Sequence, residues 1–202
     1  MFLSLDGVDG TGKTTQIALL CDWLRSTGHD VFACRDPGST PLGEAIRRIL
    51  LNEHELPIQR RSEMLLYMAA RAQLVDEVIR PALAAGKTVV SDRYLLANVV
   101  YQGHAGGLDA ESIRLVGAVA TGGCQPDLTI VLDMPPEAAA LRIARARDRM
   151  EQQGEAFERA VRAGFLAEAA RQPERIVVID ANRPIEQVQA DIRSAASKVN
   201  RS

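Results

Sequence analysis

Near the start of the chain, Gly7-Val8-Asp9-Gly10-Thr11-Gly12-Lys13-Thr14 sets three glycines ahead of a lysine and a hydroxyl. Glycines let the backbone curl until successive N–H groups converge, and a helix N-terminus adds its dipole at the same point. The run satisfies G-x-x-x-x-G-K-[ST], and its flanks are the ones that motif needs. A short apolar run precedes it and an amphipathic helical pattern follows. The chemistry is phosphate binding. Backbone N–H groups of the loop would cradle a nucleoside triphosphate, Lys13 would reach its outer phosphates, and Thr14, with Thr15 beside it, would hold Mg²⁺. A glycine-rich turn followed by a chance Lys-Thr would require neither flank.

Further candidates stand where other strands should end. Arg35-Asp36-Pro37-Gly38-Ser39-Thr40 follows one apolar run, and Asp92-Arg93-Tyr94 follows another. Both bring charge to the mouth of a sheet, where α/β proteins bind ligands. Met64, Tyr67, Arg71, Leu74 and Val78 recur at three- and four-residue spacings and so share one helix face. An arginine in an apolar stripe must meet acceptors. Those could belong to a ligand, with Tyr67 and Arg71 offering a flat aromatic and a forked donor to a pyrimidine, or to an internal acid such as Asp36. The residues alone leave both open. Asp133, which ends "LTIVLD", is followed by Met134-Pro135-Pro136 and is expected to cap or lead into a helix rather than to serve a metal.

These groups need a frame. Strand candidates are Phe2 to Leu5, Val31 to Cys34, Thr88 to Ser91, Leu128 to Leu132 and Ile176 to Ile179, mostly apolar on successive residues as in strands covered on both faces. Helical patterns lie near 13–26, 42–51, 61–85, 109–121, 136–170 and 185–198. This alternation predicts an α/β fold, a doubly wound five-stranded parallel sheet with helices on both faces. With 202 residues, no repeat and no low-complexity linker, one domain over 1–202 is expected.

Composition removes several classes. The chain is 47% hydrophobic and 25% charged, ordinary for a globular protein, and its net charge of -2 disfavours a general nucleic-acid binder. Cys21, Cys34 and Cys124 form no metal or disulfide pattern and are read as buried thiols. His29, His54 and His104 are read as surface or loop residues. No apolar stretch approaches the ~20 residues of a membrane span, and there is no secretory signal, so a cytoplasmic protein without membrane contacts is expected. No Asn-Lys-x-Asp follows a later strand, which excludes a regulatory GTPase.

Across almost its whole length the chain resembles the bacterial thymidylate kinase family, P-loop kinases with a basic lid. The resemblance is carried in order by "LDGVDGTGKTTQ", "RDPGSTPLGEAIRRILL", "LLYMAARAQLVDEVIRPALAAGKTVVSDRY", "VVYQG", "PDLTIVLD" and a final "IDA". It implies ATP-dependent phosphorylation of dTMP to dTDP with Mg²⁺, no nucleic-acid polymer as partner, and a homodimer formed through helices flanking the sheet. It also implies roles. Tyr67 would stack on thymine, Arg71 would donate to a base carbonyl, and Asn98 would face the base N3 edge, with Gln102 nearby. Tyr101 would crowd the sugar 2′ position, Arg93 would grip the acceptor phosphate, and Arg47 and Asp36 would line the acceptor side. Asp92 and Asp9 would arrange the metal, Asp9 also approaching the sugar. Gly10 stands where one subclass carries arginine, and relatives without it place basic residues in the lid. Here a lid near 142–153 contains Arg142, Arg145, Arg147 and Arg149, the last three expected to act on the transferring group. Two rivals share the loop. One is a deoxynucleoside kinase with Asp36 as base, which arginines around an uncharged acceptor disfavour. The other is a nucleotide-gated binding module without chemistry, which the pyrimidine-pocket set disfavours.

Overall fold

The computed structural model describes residues 1–52, 55–142 and 153–199. Five parallel strands form one sheet in the order β2-β3-β1-β4-β5. These are β1 (Phe2–Asp6), β2 (Val31–Arg35), β3 (Thr88–Asp92), β4 (Leu128–Asp133) and β5 (Ile176–Asp180). The three inner strands are buried along nearly their whole length, as their unbroken apolar runs predict. The edge strands β2 and β5 depart from that expectation, leaving Phe32 and Val178 exposed.

Every strand runs one residue past its apolar run, and that residue is charged in each case: Asp6, Arg35, Asp92, Asp133 and Asp180. The sheet ladder continues through the charge, so the carboxyl end of the sheet carries a rim of ionisable side chains. The neighbours of β1 are β3 on one side and β4 on the other, so the chain changes winding direction at β1, where such sheets bind ligands.

Helices cover both faces, their side chains alternating along the strands. Phe2 and Val89 enter a cluster with Leu74, Val75 and Ile79, while the next residues, Leu3 and Val90, join a cluster with Leu20 and Leu24. Helices α1 (Lys13–Ser26) and α9 (Ile185–Val199) pack together. Across the sheet lie α3 (Arg60–Leu74), α4 (Arg80–Ala84), α5 (Leu95–Asn98), α6 (Ala110–Thr121) and α8 (Glu155–Arg171). Helix α2 (Pro41–Leu51) packs on α3, started by proline at its first turn and by Thr40, whose side chain accepts from the Gly43 N–H. The short α7 (Pro136–Ala140) follows β4.

The expected helix at 61–85 is one continuous rod with a π-helical turn, Val75–Ile79, between α3 and α4. A second π turn, Val99–His104, follows α5; the sequence reading contained neither α5 nor this turn. Among the described residues, the expected helix at 136–170 contains α7 and α8. The lid expected near 142–153 lies, apart from residues 142 and 153, outside the described residues, as does His54.

Candidate active site

The phosphate loop joins β1 to α1. Gly7 and Gly10 have φ of 137° and 85°, conformations that side chains rarely adopt, and both are packed from behind. A Cβ at Gly7 would strike the Leu132 carbonyl, and one at Gly10 the carbonyl of Ala139 in α7. Helix α1 begins at Lys13 with no side-chain cap, so its first-turn N–H groups remain for an anion. Lys13 is 7% exposed and folds back over the loop, donating to the Gly7 and Val8 carbonyls at 3.2 and 2.9 Å and to Asp9 Oδ1 at 3.2 Å. Burial, then repulsion from Arg93, lowers its pKa, and Asp9 opposes that fall.

Arg93 follows β3 with φ of 65°, the left-handed region. That turn sends its guanidinium across the sheet mouth. It donates to the Gly7 carbonyl at 2.9 Å and to Asp9 at 2.7 Å, and lies 5.2 Å over the Tyr101 ring. Burial would raise the Asp9 carboxyl, but Arg93 and Lys13 outweigh it and hold the group well below the ordinary carboxylate range. Tyr101 in turn packs edge-on against Phe165 of α8.

Asp6 was absent from the sequence reading. It is fully buried, neither carboxylate oxygen has a hydrogen-bond partner, and burial pushes it up to about 7 against the pull of Arg93 and Lys13. Its one signal in the sequence is a charge closing the apolar "FLSLD" run.

Of the two readings of Arg71, the structure shows the internal acid: its Nε donates to Asp36 Oδ2 at 2.5 Å with both side chains buried, and the residue also lines the cleft. Arg47 donates to the Pro37 carbonyl at 3.0 Å, holding α2 to the segment that carries Asp36. Arg35 forks onto Glu44, which also accepts from the Ser39 N–H, so the segment after β2 is fastened at two points.

One cleft of about 1410 Å³ runs across the mouth of the sheet. Apart from Gly7 and Val8, every predicted site residue that the structure describes lines it: Asp9 to Thr15, Asp36, Arg47, Tyr67, Arg71, Asp92, Arg93, Asn98, Tyr101 and Gln102. Arg142 joins them, and so does Arg183, which the sequence reading did not include. Arg145, Arg147 and Arg149 lie outside the described residues.

One expectation needs correction and two gain detail. Asp133 leads into α7, as expected, without capping it, since the N-cap is Pro135. Instead it receives a forked pair of hydrogen bonds from Arg162 of α8 at 2.7 and 2.8 Å. His104 is exposed, as expected, and its Nε2 meets buried Glu168 at 2.8 Å. Cys124 is half-buried rather than buried, and its carbonyl accepts from Tyr94 Oη.

Among the described residues, no cluster of three or more metal-ligating side chains exists. Mg²⁺ does not need one, since it takes one or two carboxylates and fills its remaining positions with water and phosphate oxygens. The exposed Thr14 hydroxyl in the first turn of α1, Asp92 at the end of β3 and Asp9 of the phosphate loop, all lining the cleft, are a donor set of that kind.

A parallel sheet wound about a phosphate loop, with a second charged pocket across the switch point, defines a P-loop kinase. The chain matches the family model described as thymidylate kinase over residues 5–192. It is 48% identical to a thymidylate kinase of Chromohalobacter salexigens, covering 95% of this chain and 92% of that one. It is 46% identical to one of Syntrophotalea carbinolica, covering 93% and 90%. A crystal structure of thymidylate kinase from Ehrlichia chaffeensis superposes with a TM-score of 0.77 at 28% identity, covering 97% of this chain and 98% of that one. The chain belongs to the thymidylate kinase family, and its activity is the phosphorylation of dTMP to dTDP.

Proposed function

We propose that the cleft seats two nucleotides end to end, ATP with its phosphates over residues 7–15 and dTMP against Tyr67, Arg71 and Asn98, with Arg93 at their junction. The observation that carries this reading is the shared grip on Asp9 by Lys13 and Arg93. It draws the cation of the phosphate loop and the cation of the acceptor side to one carboxylate. The volume agrees, since about 1410 Å³ exceeds the ~300–1,000 Å³ that suits one small ligand.

The acceptor phosphate has a second pKa near 6, so at neutral pH it is mostly a dianion and needs no general base. The task is to hold two anionic groups in line while suppressing their repulsion. Lys13 and the loop N–H groups neutralise the donor end, and Arg93, with Arg47 behind it, the acceptor end. Bound Mg²⁺, held by Thr14 and Asp92 with Asp9 close by, would supply charge neutralisation at the donor phosphates. Arg145, Arg147 and Arg149 are assigned to the transferring group, and Tyr101 to the sugar 2′ position. Work in the cytoplasm, as one domain spanning 1–202 with a lid, belongs to the same reading.

The reading extends to assembly as a homodimer. Helices α3 and α6 pack together and leave Leu65, Leu115 and Val119 exposed by 48%, 65% and 84%. Leu115 and Val119 are four residues apart and share one helix face.

A coupled ADP-release assay across the common nucleoside monophosphates, with thymidine in parallel, tests the proposal. Turnover should be fastest with dTMP and should fall by about 10²-fold or more in Lys13→Met. Faster ADP release with thymidine than with dTMP would instead favour a nucleoside kinase.

A further inference from the structure

Three buried polar side chains form a row from the cleft to the first turn of α3. Asn98, Gln102 and Glu63 are 2%, 1% and 3% exposed. Asn98 Nδ2 donates to Gln102 Oε1 at 2.6 Å, and Gln102 Nε2 donates to Glu63 Oε1 at 3.0 Å. Arg60 anchors the far end, donating to the same Glu63 oxygen at 3.2 Å while its guanidinium lies 5.2 Å over the Phe157 ring.

The direction of these bonds is fixed by chemistry. A carboxylate paired with arginine has no proton to give, so the Gln102 amide must turn its NH₂ toward Glu63. Gln102 then presents oxygen to Asn98, which only the Asn98 NH₂ can satisfy. The Nδ2 group is thereby engaged with Gln102, and Oδ1 is left buried and without a hydrogen-bond partner on a residue that lines the cleft. Reversing either amide would set oxygen against oxygen inside the protein, at the cost of an unpaired buried group.

We propose that Glu63 is a positioning residue that, acting through Gln102, locks Asn98 as an acceptor and so selects pyrimidines carrying a ring N3–H against cytosine. Thymine and uracil bring a donor to that oxygen. Cytosine brings the bare N3 lone pair, and two facing acceptors repel. A site built to pair a polar group rejects a ligand that leaves it unpaired far more strongly than an apolar pocket rejects a change of size. Glu63 itself touches no substrate. The inference rests on the reading that Asn98 meets the base.

The test compares kcat/KM for dTMP and 5-methyl-dCMP, which share the 5-methyl group and differ at the N3 edge, in the full chain. Wild type should favour dTMP strongly. Glu63→Gln removes the acceptor-only anchor while keeping shape, so the preference should fall by about tenfold or more. The loss should appear in KM for dTMP rather than in KM for ATP, a split that general loosening of the fold would not give. Gln102→Met, which breaks the row at its centre, should lower the preference likewise and serves if Glu63→Gln does not fold. A preference within twofold of wild type in whichever of the two folds overturns the proposal. Asn98→Ala separates the two layers of the argument. If it leaves KM for dTMP unchanged, the base-pocket reading itself fails. If it raises that KM while the row variants keep the wild-type preference, only the role of Glu63 is lost.

Discussion

Arg93 holds a backbone conformation that costs a non-glycine residue roughly 1–3 kcal/mol. What it gains is reach: from that turn one side chain meets the Gly7 carbonyl, Asp9 and the Tyr101 ring. In Arg93→Ala, dTMP turnover should drop by about 10²–10³-fold while ATP affinity, followed by fluorescence titration, survives. Equal loss of both would take Arg93 off the acceptor side. Arg71 calls for a different experiment. Truncating it alone strands the Asp36 charge in the interior, at a cost of about 3–5 kcal/mol. Arg71→Ala should therefore lower the unfolding free energy by about that amount in urea titrations, and its kinetics reflect stability as well as binding.

At the scale of elements, α8 is fastened to the rest of the site by charge. Arg162 reaches back to Asp133 at the end of β4, and Glu168 binds His104 of the second π turn and Arg114 of α6. That π turn also carries Tyr101 and Gln102, which line the cleft, so the cleft wall and the helix after the expected lid share one buried carboxylate. Burial would raise Glu168, but hydrogen bonding from His104 and the charge of Arg114 hold it below the ordinary glutamate value of 4.5. A depressed carboxylate stabilises the fold above its unfolded pKa, and that stabilisation is lost as pH falls through the folded value. Glu168→Gln should thus cost about 1–3 kcal/mol at pH 7, and urea titrations should show the gap closing below about pH 4.5. Among the described residues, His104, Arg114 and Arg171 face Glu168, so each belongs in the controls.

Strands, α1 and the phosphate loop were legible because each is written in consecutive residues, whether as an apolar run, a 3.6-residue period or a glycine pattern. The Tyr67–Arg71 face was legible for the same reason. Asp6, Glu63 and the role of His104 were not, since each takes its meaning from a partner on a different element or from burial that strand order decides. The first π turn was hidden because one extra residue in a turn leaves the surrounding helical pattern of 61–85 readable as one helix.

For the whole molecule, the cleft runs across the carboxyl end of the sheet, and the α3–α6 pair leaves an apolar face elsewhere. Paired substitution Leu115→Glu and Val119→Glu on that face should weaken self-association by about 30-fold or more, read by sedimentation. An unchanged mass would place the dimer contact somewhere else. No helix among the described residues is long and apolar enough to cross a membrane. The contact between Gly10 and the Ala139 carbonyl ties the phosphate loop to the segment that leads toward the expected lid. Positions 10 and 135–140 are therefore not free to drift separately. A descendant of this chain that acquired a side chain at position 10 would first have to reroute the path after β4, and the order of those two changes is imposed by sterics before selection for activity acts.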